Sequence, residues 1–242
     1  MTSSEVSIAA PGGALLSYVS TPAGVGPWPG VVVLHDLVGM SRDLRNQADR
    51  LADAGYLVVA PDLFRGNRGP VCMIRMIRET VRRADPTFAD IEAVSGWLSD
   101  REDCTGKVGA IGFCLGGGFA LLMAADQRFD VASVNYGPVG GKAYTEDAFA
   151  GACPIVGSYG AKDPGNRGAG ERLERILTAV GGEHDIKTYP DAGHSFINAH
   201  DRADLPMLFA LQFRVTGDPF RAPAAADARR RILDFFAAHL TR

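Results

Sequence analysis

Cys114 sits in the run Gly112-Phe113-Cys114-Leu115-Gly116-Gly117-Gly118, with a short β-like segment before it (107–111) and an apolar, helix-like run after it (119–125). Gly-x-Cys-x-Gly between a strand and a helix is the pattern of a nucleophile elbow, with cysteine as the nucleophile. So tight a turn leaves no room for side chains beside the nucleophile, and Gly112 and Gly116 provide none. The sulfur would stand at a helix N-terminus, where free N–H groups and the positive end of the helix dipole favour a thiolate. A structural cysteine in a Gly-rich turn would look the same over these few residues, so the partners decide.

A catalytic thiol needs a base, and the base needs a group to orient it. In an elbow-type site both come from loops after later strands, in the order nucleophile, acid, histidine. Gly160-Ala161-Lys162-Asp163-Pro164 follows a strand-like run and offers Asp163; Ala192-Gly193-His194-Ser195-Phe196 follows the next and offers His194. Alone, each has a bland reading, Asp163 as turn chemistry and His194 as a surface residue. Together, in the required order and each at the carboxyl end of a strand, they read as a site where His194 takes the Cys114 proton and Asp163 fixes the imidazole. The oxyanion of an acyl transfer would then be held by the backbone N–H groups of Leu115 and Leu37.

The elements that position these residues follow a repeating pattern. Residues 5–8 and 15–19 flank Pro11-Gly12-Gly13 and read as a hairpin. The continuous apolar runs 31–35 and 56–60 read as buried parallel strands. Between them, Ser41 is a candidate N-cap for a helix with Leu44, Ala48, Leu51 and Ala52 on one face. Further strands are expected at 107–111, 131–134, 154–159 and 185–189. Helices are expected at 73–83, around Ile91, Val94, Trp97 and Leu98, after the elbow, along Leu173, Ile176, Leu177 and Val180, and at the C-terminus with Ile232, Phe235, Phe236 and Leu240. About eight strands alternating with helices describe one three-layer α/β/α domain over 1–242, with a mostly parallel sheet.

Composition narrows the function classes. Of 242 residues, 46% are hydrophobic and 22% charged, with a formal net charge of −3. That balance favours neither nucleic acid nor an anionic membrane as partner. No apolar run reaches the roughly 18 residues of a spanning helix and no signal peptide is visible, so a cytoplasmic location is expected. The four cysteines, Cys72, Cys104, Cys114 and Cys153, lack Cys-x-x-Cys spacing and read as free thiols. No metal-ligand cluster is visible, and neither glycine-rich stretch has a nucleotide-binding ending. His35 is expected to shape the oxyanion loop. His184, His200 and His239 read as solvated, as do the arginines of the 75–83 stretch.

With these residues in place, the sequence resembles the dienelactone hydrolase family over roughly residues 5–240. The resemblance rests on the Cys114 elbow, the Asp163 and His194 loops, Tyr56-Leu57-Val58-Val59-Ala60-Pro61-Asp62-Leu63, and Asp36-Leu37-Val38-Gly39. It implies an α/β-hydrolase fold, no cofactor, a small ester or lactone as substrate, and a monomer or homodimer. It also implies that an acidic residue of the oxyanion loop, here Asp36 in place of the family's Glu, pairs with the resting thiol. Where the family carries an Arg that binds the substrate carboxylate, this chain has Asn198, which cannot form a bidentate charged pair. Arg75, Arg78 or Arg82 could take over that role. The connection 198–221, with its apolar run Leu205-Pro206-Met207-Leu208-Phe209, is expected to be mobile and to cap the site or cover a dimer contact. The reading is thus a cysteine hydrolase of small lactones or esters, of carboxymethylenebutenolidase type. The alternatives are a general carboxylesterase or thioesterase, or a non-catalytic binding protein on the same scaffold.

Overall fold

In a computed structural model the described residues are 1–67, 86–141, 143–201, 203–205 and 219–241. The expected helix at 73–83, with Arg75, Arg78, Arg82 and Arg83, lies outside them.

The chain opens with an antiparallel hairpin of β1 (Thr2–Ile8) and β2 (Leu15–Thr21). There follow β3 (Trp28–Leu34), α1 (Arg42–Asp53), β4 (Leu57–Pro61), α2 (Pro86–Ser99), β5 (Cys104–Phe113) and α3 (Leu115–Ala125). Then come β6 (Val131–Asn135), α4 (Glu146–Phe149), β7 (Ile155–Gly160), α5 (Ala169–Ala179), β8 (His184–Tyr189) and α6 (Ala222–Leu240). The Ser41 side chain accepts from Leu44 N–H and starts α1 as expected; Gly55, at φ 98°, follows its end. The four-residue α4 had no periodic signal in the sequence, being too short for one.

One eight-stranded sheet joins these elements in the order β1-β2-β4-β3-β5-β6-β7-β8, parallel from β4 to β8. The α/β-hydrolase fold expected from the sequence is the fold observed. Val31, Val32, Val33 and Leu34 of β3 and Leu57, Val58, Val59 and Ala60 of β4 have no exposed surface, since helices cover both faces. On one face α2, α3 and α5 pack through Ile91, Val94, Phe119, Leu121 and Leu173. On the other, α1 and α6 pack through Leu44, Ala48, Leu51, Ile232 and Phe236. Arg231, 8% exposed, anchors α6 by reaching Asp185 of β8 at 2.6 Å.

The order reverses at β3, which sends the chain outward to β4 and then back across to β5. Such a switch point, outside the carboxyl ends of neighbouring parallel strands, is where open α/β sheets bind ligands. Leu34 of β3 is in register with Gly112 of β5, so the loop after β3 and the elbow after β5 emerge side by side. The ends of β6, β7 and β8 follow in line, through Phe113 opposite Asn135, Asn135 opposite Ser158 and Gly160 opposite Tyr189.

Candidate active site

β5 ends at Phe113 and α3 begins at Leu115, so Cys114 alone makes the turn, at φ 53° and ψ −112°. Positive φ is costly for a residue with a Cβ and persists only where the surroundings enforce it. The enforcement is visible. A Cβ on Gly112 would lie 2.1 Å from the Gly116 carbonyl oxygen, and one on Gly116 would lie 2.2 Å from that of Leu34. Cys114 N–H donates to the Asn135 carbonyl at 3.0 Å, and Asn135 Nδ2 donates to the Gly112 carbonyl at 3.2 Å, tying the elbow to β6. The thiol is partly exposed. As the first residue of α3, Leu115 has an N–H with no preceding intrahelical carbonyl to bond.

The 35–39 loop supplies the opposite wall. Leu63 N–H donates to His35 Nε2 at 3.1 Å, so the ring proton is assigned to Nδ1, which donates to the Asp36 carbonyl at 2.7 Å. Asp36 Oδ1 accepts from Val38 N–H at 2.8 Å, and the Asp36 carbonyl accepts from Gly39 N–H at 3.1 Å. This turn fixes the peptide of Leu37, whose N–H makes no hydrogen bond among the described residues. His35 thus shapes the loop, as expected.

Asp163 and His194 are brought together by a close crossing of their loops. Ala161 N–H donates to the Tyr189 carbonyl and Lys162 N–H to that of Ala192, both at 2.9 Å. The crossing needs glycine at 160, where a Cβ would stand 2.5 Å from the Gly193 carbonyl oxygen. His194 Nδ1 then lies 2.6 Å from Asp163 Oδ2. Asp163, 2% exposed, also accepts from Asn166 Nδ2 at 3.0 Å and Gly165 N–H at 3.0 Å. Burial opposes its charge, but these donors, His194 foremost, leave its pKa below the ordinary carboxylate value. Burial likewise disfavours the charged imidazole, yet the hydrogen bond with Asp163 and the influence of the Cys114 thiol outweigh it and push His194 up to about 10. An imidazole fixed by a buried carboxylate and influenced by the elbow thiol is able to pass a proton to and from a sulfur.

Other expected residues lie elsewhere than the sequence suggested. Asp36, expected at the resting thiol, has Oδ1 on Val38 N–H and Oδ2 on His200 Nε2 at 3.1 Å, with no hydrogen bond to Cys114. His200, read as solvated, has a side chain only 3% exposed. His184 and His239 also have partners: His184 Nδ1 meets the Gly182 carbonyl at 2.7 Å and His239 Nε2 lies 3.3 Å from Glu183. These contacts join positions far apart in the sequence or across a turn, which a periodicity cannot reveal.

Asn198, a candidate for the substrate, is 1% exposed and fully engaged. Its Oδ1 accepts from the Tyr136 hydroxyl, and its Nδ2 donates to Asp43 Oδ2 at 2.5 Å. The described start of the 198–221 connection is docked on α1: Ala199 N–H reaches Asp43 Oδ1 at 3.0 Å and Asp204 accepts from Arg42 N–H at 2.9 Å. Its apolar run beyond Leu205 lies outside the described residues. Two site residues escaped the sequence reading. Tyr136, just after β6, packs its ring 5.2 Å from that of His194, and Asn166 braces Asp163 while donating to the Tyr136 carbonyl at 2.8 Å. The sequence signal was present for Tyr136, since it directly follows a strand beside the elbow strand.

Among the described residues no group of His, Cys, Asp and Glu could hold a metal ion, and no helix is long and apolar enough to cross a membrane. A family model described as the dienelactone hydrolase family matches residues 15–240. A carboxymethylenebutenolidase of Rhodococcus opacus is 28% identical over 241 residues, covering 96% of this chain and 89% of that protein. A solved structure of a dienelactone hydrolase-like promiscuous phosphotriesterase from metagenomic libraries aligns with TM-score 0.81 at 21% identity, over 98% of each chain. A hyperthermophilic esterase of Pyrobaculum calidifontis aligns with TM-score 0.65 at 17% identity, over 94% of this chain and 84% of that one. At those identities the two structures speak for the fold alone.

Proposed function

The chain belongs to the dienelactone hydrolase family and is an ester or lactone hydrolase, and we propose that it opens small neutral esters and lactones through a thioester on Cys114. The observation that carries this reading is the Cys114 elbow beside an imidazole that the buried Asp163 holds at 2.6 Å.

In the resting site His194 is an imidazolium beside the sulfur, held charged by Asp163 and Cys114. The thiolate attacks the acyl carbon, and the oxyanion is received by the N–H groups of Leu37 and Leu115. One such donor typically contributes about 3 kcal/mol to lowering the barrier. The tetrahedral intermediate collapses with cleavage of the C–O bond, and the leaving alkoxide takes the His194 proton. In a lactone this alcohol stays tethered to the acyl group. Acylation removes the negative sulfur, one of the two partners that held His194 charged. The neutral imidazole now takes a proton from water, whose oxygen attacks the thioester. The carbonyl re-forms, the thiolate leaves with the C–S electron pair, and the resting ion pair returns. Asp163 stays ionised throughout and keeps the proton of His194 on Nδ1.

The preference for neutral substrates rests on Asn198. A bidentate arginine–carboxylate pair adds charge-assisted hydrogen bonds worth about 2 kcal/mol or more, and Asn198 has neither the charge nor a free polar atom to offer. A cytosolic setting, which keeps thiols reduced, suits the mechanism.

A slowly deacylating ester tests the reading. After acid quench, the peptide containing Cys114 should carry the acyl mass, and Cys114→Ala should carry none and turn over no substrate. Steady turnover by Cys114→Ala would end the proposal.

A further inference from the structure

On the α1/α6 face of the sheet a cavity of about 240 Å³ opens between the two helices. Its walls are Leu51, Ile111, Phe113, Ile197, Ile232 and Leu233; Cys114, Asp163 and His194 do not line it. Three polar side chains complete the lining, Gln47 and Arg50 from α1 and Arg229 from α6. Two guanidinium groups meet at one apolar hollow, Arg50 exposed at its rim and Arg229 partly buried, so like charges repel and burial adds a cost at Arg229.

Arg229 is the informative residue. Its Nη2 donates to the Ile197 carbonyl at 2.7 Å, and its guanidinium lies 5.9 Å from the Phe220 ring. Its Nε is buried with no hydrogen-bond partner among the described residues. A buried donor on a charged group is costly to leave unmatched. Burial and then the charge of Arg50 hold Arg229 below its ordinary value. The nearby Asp43 carboxylate compensates in part, but its oxygens already accept from Asn198 and Ala199. Charge, one orphaned donor and apolar walls therefore ask for the same thing: an anion with two acceptor oxygens and an apolar body.

We propose that this cavity is a binding site for a small apolar monocarboxylate, seated with its carboxylate on Arg229 and Arg50 and its body among Leu51, Ile111, Phe113, Ile197, Ile232 and Leu233. The size fits. A dry cavity of about 150 Å³ holds benzene, and sites for drug-sized ligands start at about 300 Å³. Benzoate or a branched short-chain acid lies between. An inorganic anion would gain nothing from the six apolar side chains. The site is independent of the catalytic reading and stands even if the thioester route fails.

Benzoate is the probe, titrated by calorimetry into the full chain, with benzyl alcohol and phosphate as controls. Benzoate should bind, and both controls should bind at least about tenfold more weakly, since each lacks half of the recognition. Arg229→Gln should weaken benzoate about tenfold or more. Because Arg229 also holds the Ile197 carbonyl, Leu233→Trp provides a second variant that fills the cavity and leaves the arginines in place; it should abolish binding. Benzoate must still bind enzyme whose Cys114 is alkylated and whose mass shows a single label. Loss of binding on alkylation would place benzoate at the catalytic thiol and overturn the proposal. So would unchanged affinity in Leu233→Trp, or phosphate binding as tightly as benzoate.

Discussion

The backbone of Cys114 sets up an unusual comparison between alanine and glycine. At φ 53° and ψ −112° any side chain with a Cβ is strained, and such conformations cost about 1–3 kcal/mol. Cys114→Ala removes the thiol but keeps the Cβ and the strain; Cys114→Gly removes both. Glycine normally loses about 0.5–1 kcal/mol to alanine through the entropy of the unfolded chain. Subtracting that from the strain leaves Cys114→Gly roughly 0–2.5 kcal/mol more stable than Cys114→Ala, against the usual order. In a chain of this size each kcal/mol moves the melting temperature by about 2–4 °C. Thermal unfolding of both variants, calibrated against Ala226→Gly at an exposed position of α6, gives the answer. The calibration pair should show glycine about 1 kcal/mol worse. If glycine at 114 loses to alanine by that same margin, the elbow stores no strain and the reasoning fails. Neither variant should hydrolyse substrate.

Further outcomes follow from the same geometry. Asp163→Asn should lower kcat by about 10²–10⁴ by disturbing the imidazole tautomer, with the fold retained; steady-state kinetics and circular dichroism check both parts. Asn166→Ala, which removes only a brace, should cost much less, and equal losses would mean Asn166 does more than position Asp163. His194 is raised from 6.5 to about 10 in the folded state. Its contribution to stability is therefore complete below pH 6.5 and is lost as pH climbs through about 10. Wild type should lose stability relative to His194→Gln over that window, and denaturant titrations at pH 7 and 10.5 measure it. Gly160→Ala should separate the loops of Asp163 and His194, because its Cβ would press on backbone carbonyls of Ala192 and Gly193 rather than on a yielding side chain; activity should fall more than stability.

The proposed catalytic residues were legible because each stands at a place that local pattern defines. Cys114 lies between a strand and a helix, and Asp163 and His194 follow apolar runs. The parallel sheet then brings carboxyl ends together without needing any particular side-chain contact. The glycines at 112, 116 and 160 carried the signal of close backbone approach. Asp36 and Asn198 were misplaced for the opposite reason. Their partners, His200 for Asp36 and Asp43 with Tyr136 for Asn198, lie 62 to 164 positions away in the chain, and no periodicity encodes which buried polar groups will meet. The same holds for Arg229, whose neighbours in the cavity come from α1, β5 and the loop after β8.

Position 198 illustrates what such a network does to the history a sequence can take. Asn198 receives the Tyr136 hydroxyl on one side and holds Asp43 on the other, and Asp43 also secures Ala199 and so the loop after His194. An arginine here would be too long for the space and would leave the Tyr136 hydroxyl facing a donor instead of an acceptor. It would need accompanying changes at Tyr136 and Asp43, and either change made alone would break a buried hydrogen bond. The three positions therefore behave as one heritable unit. The side chain at 198 is thus fixed by two neighbours, Tyr136 and Asp43, through buried hydrogen bonds.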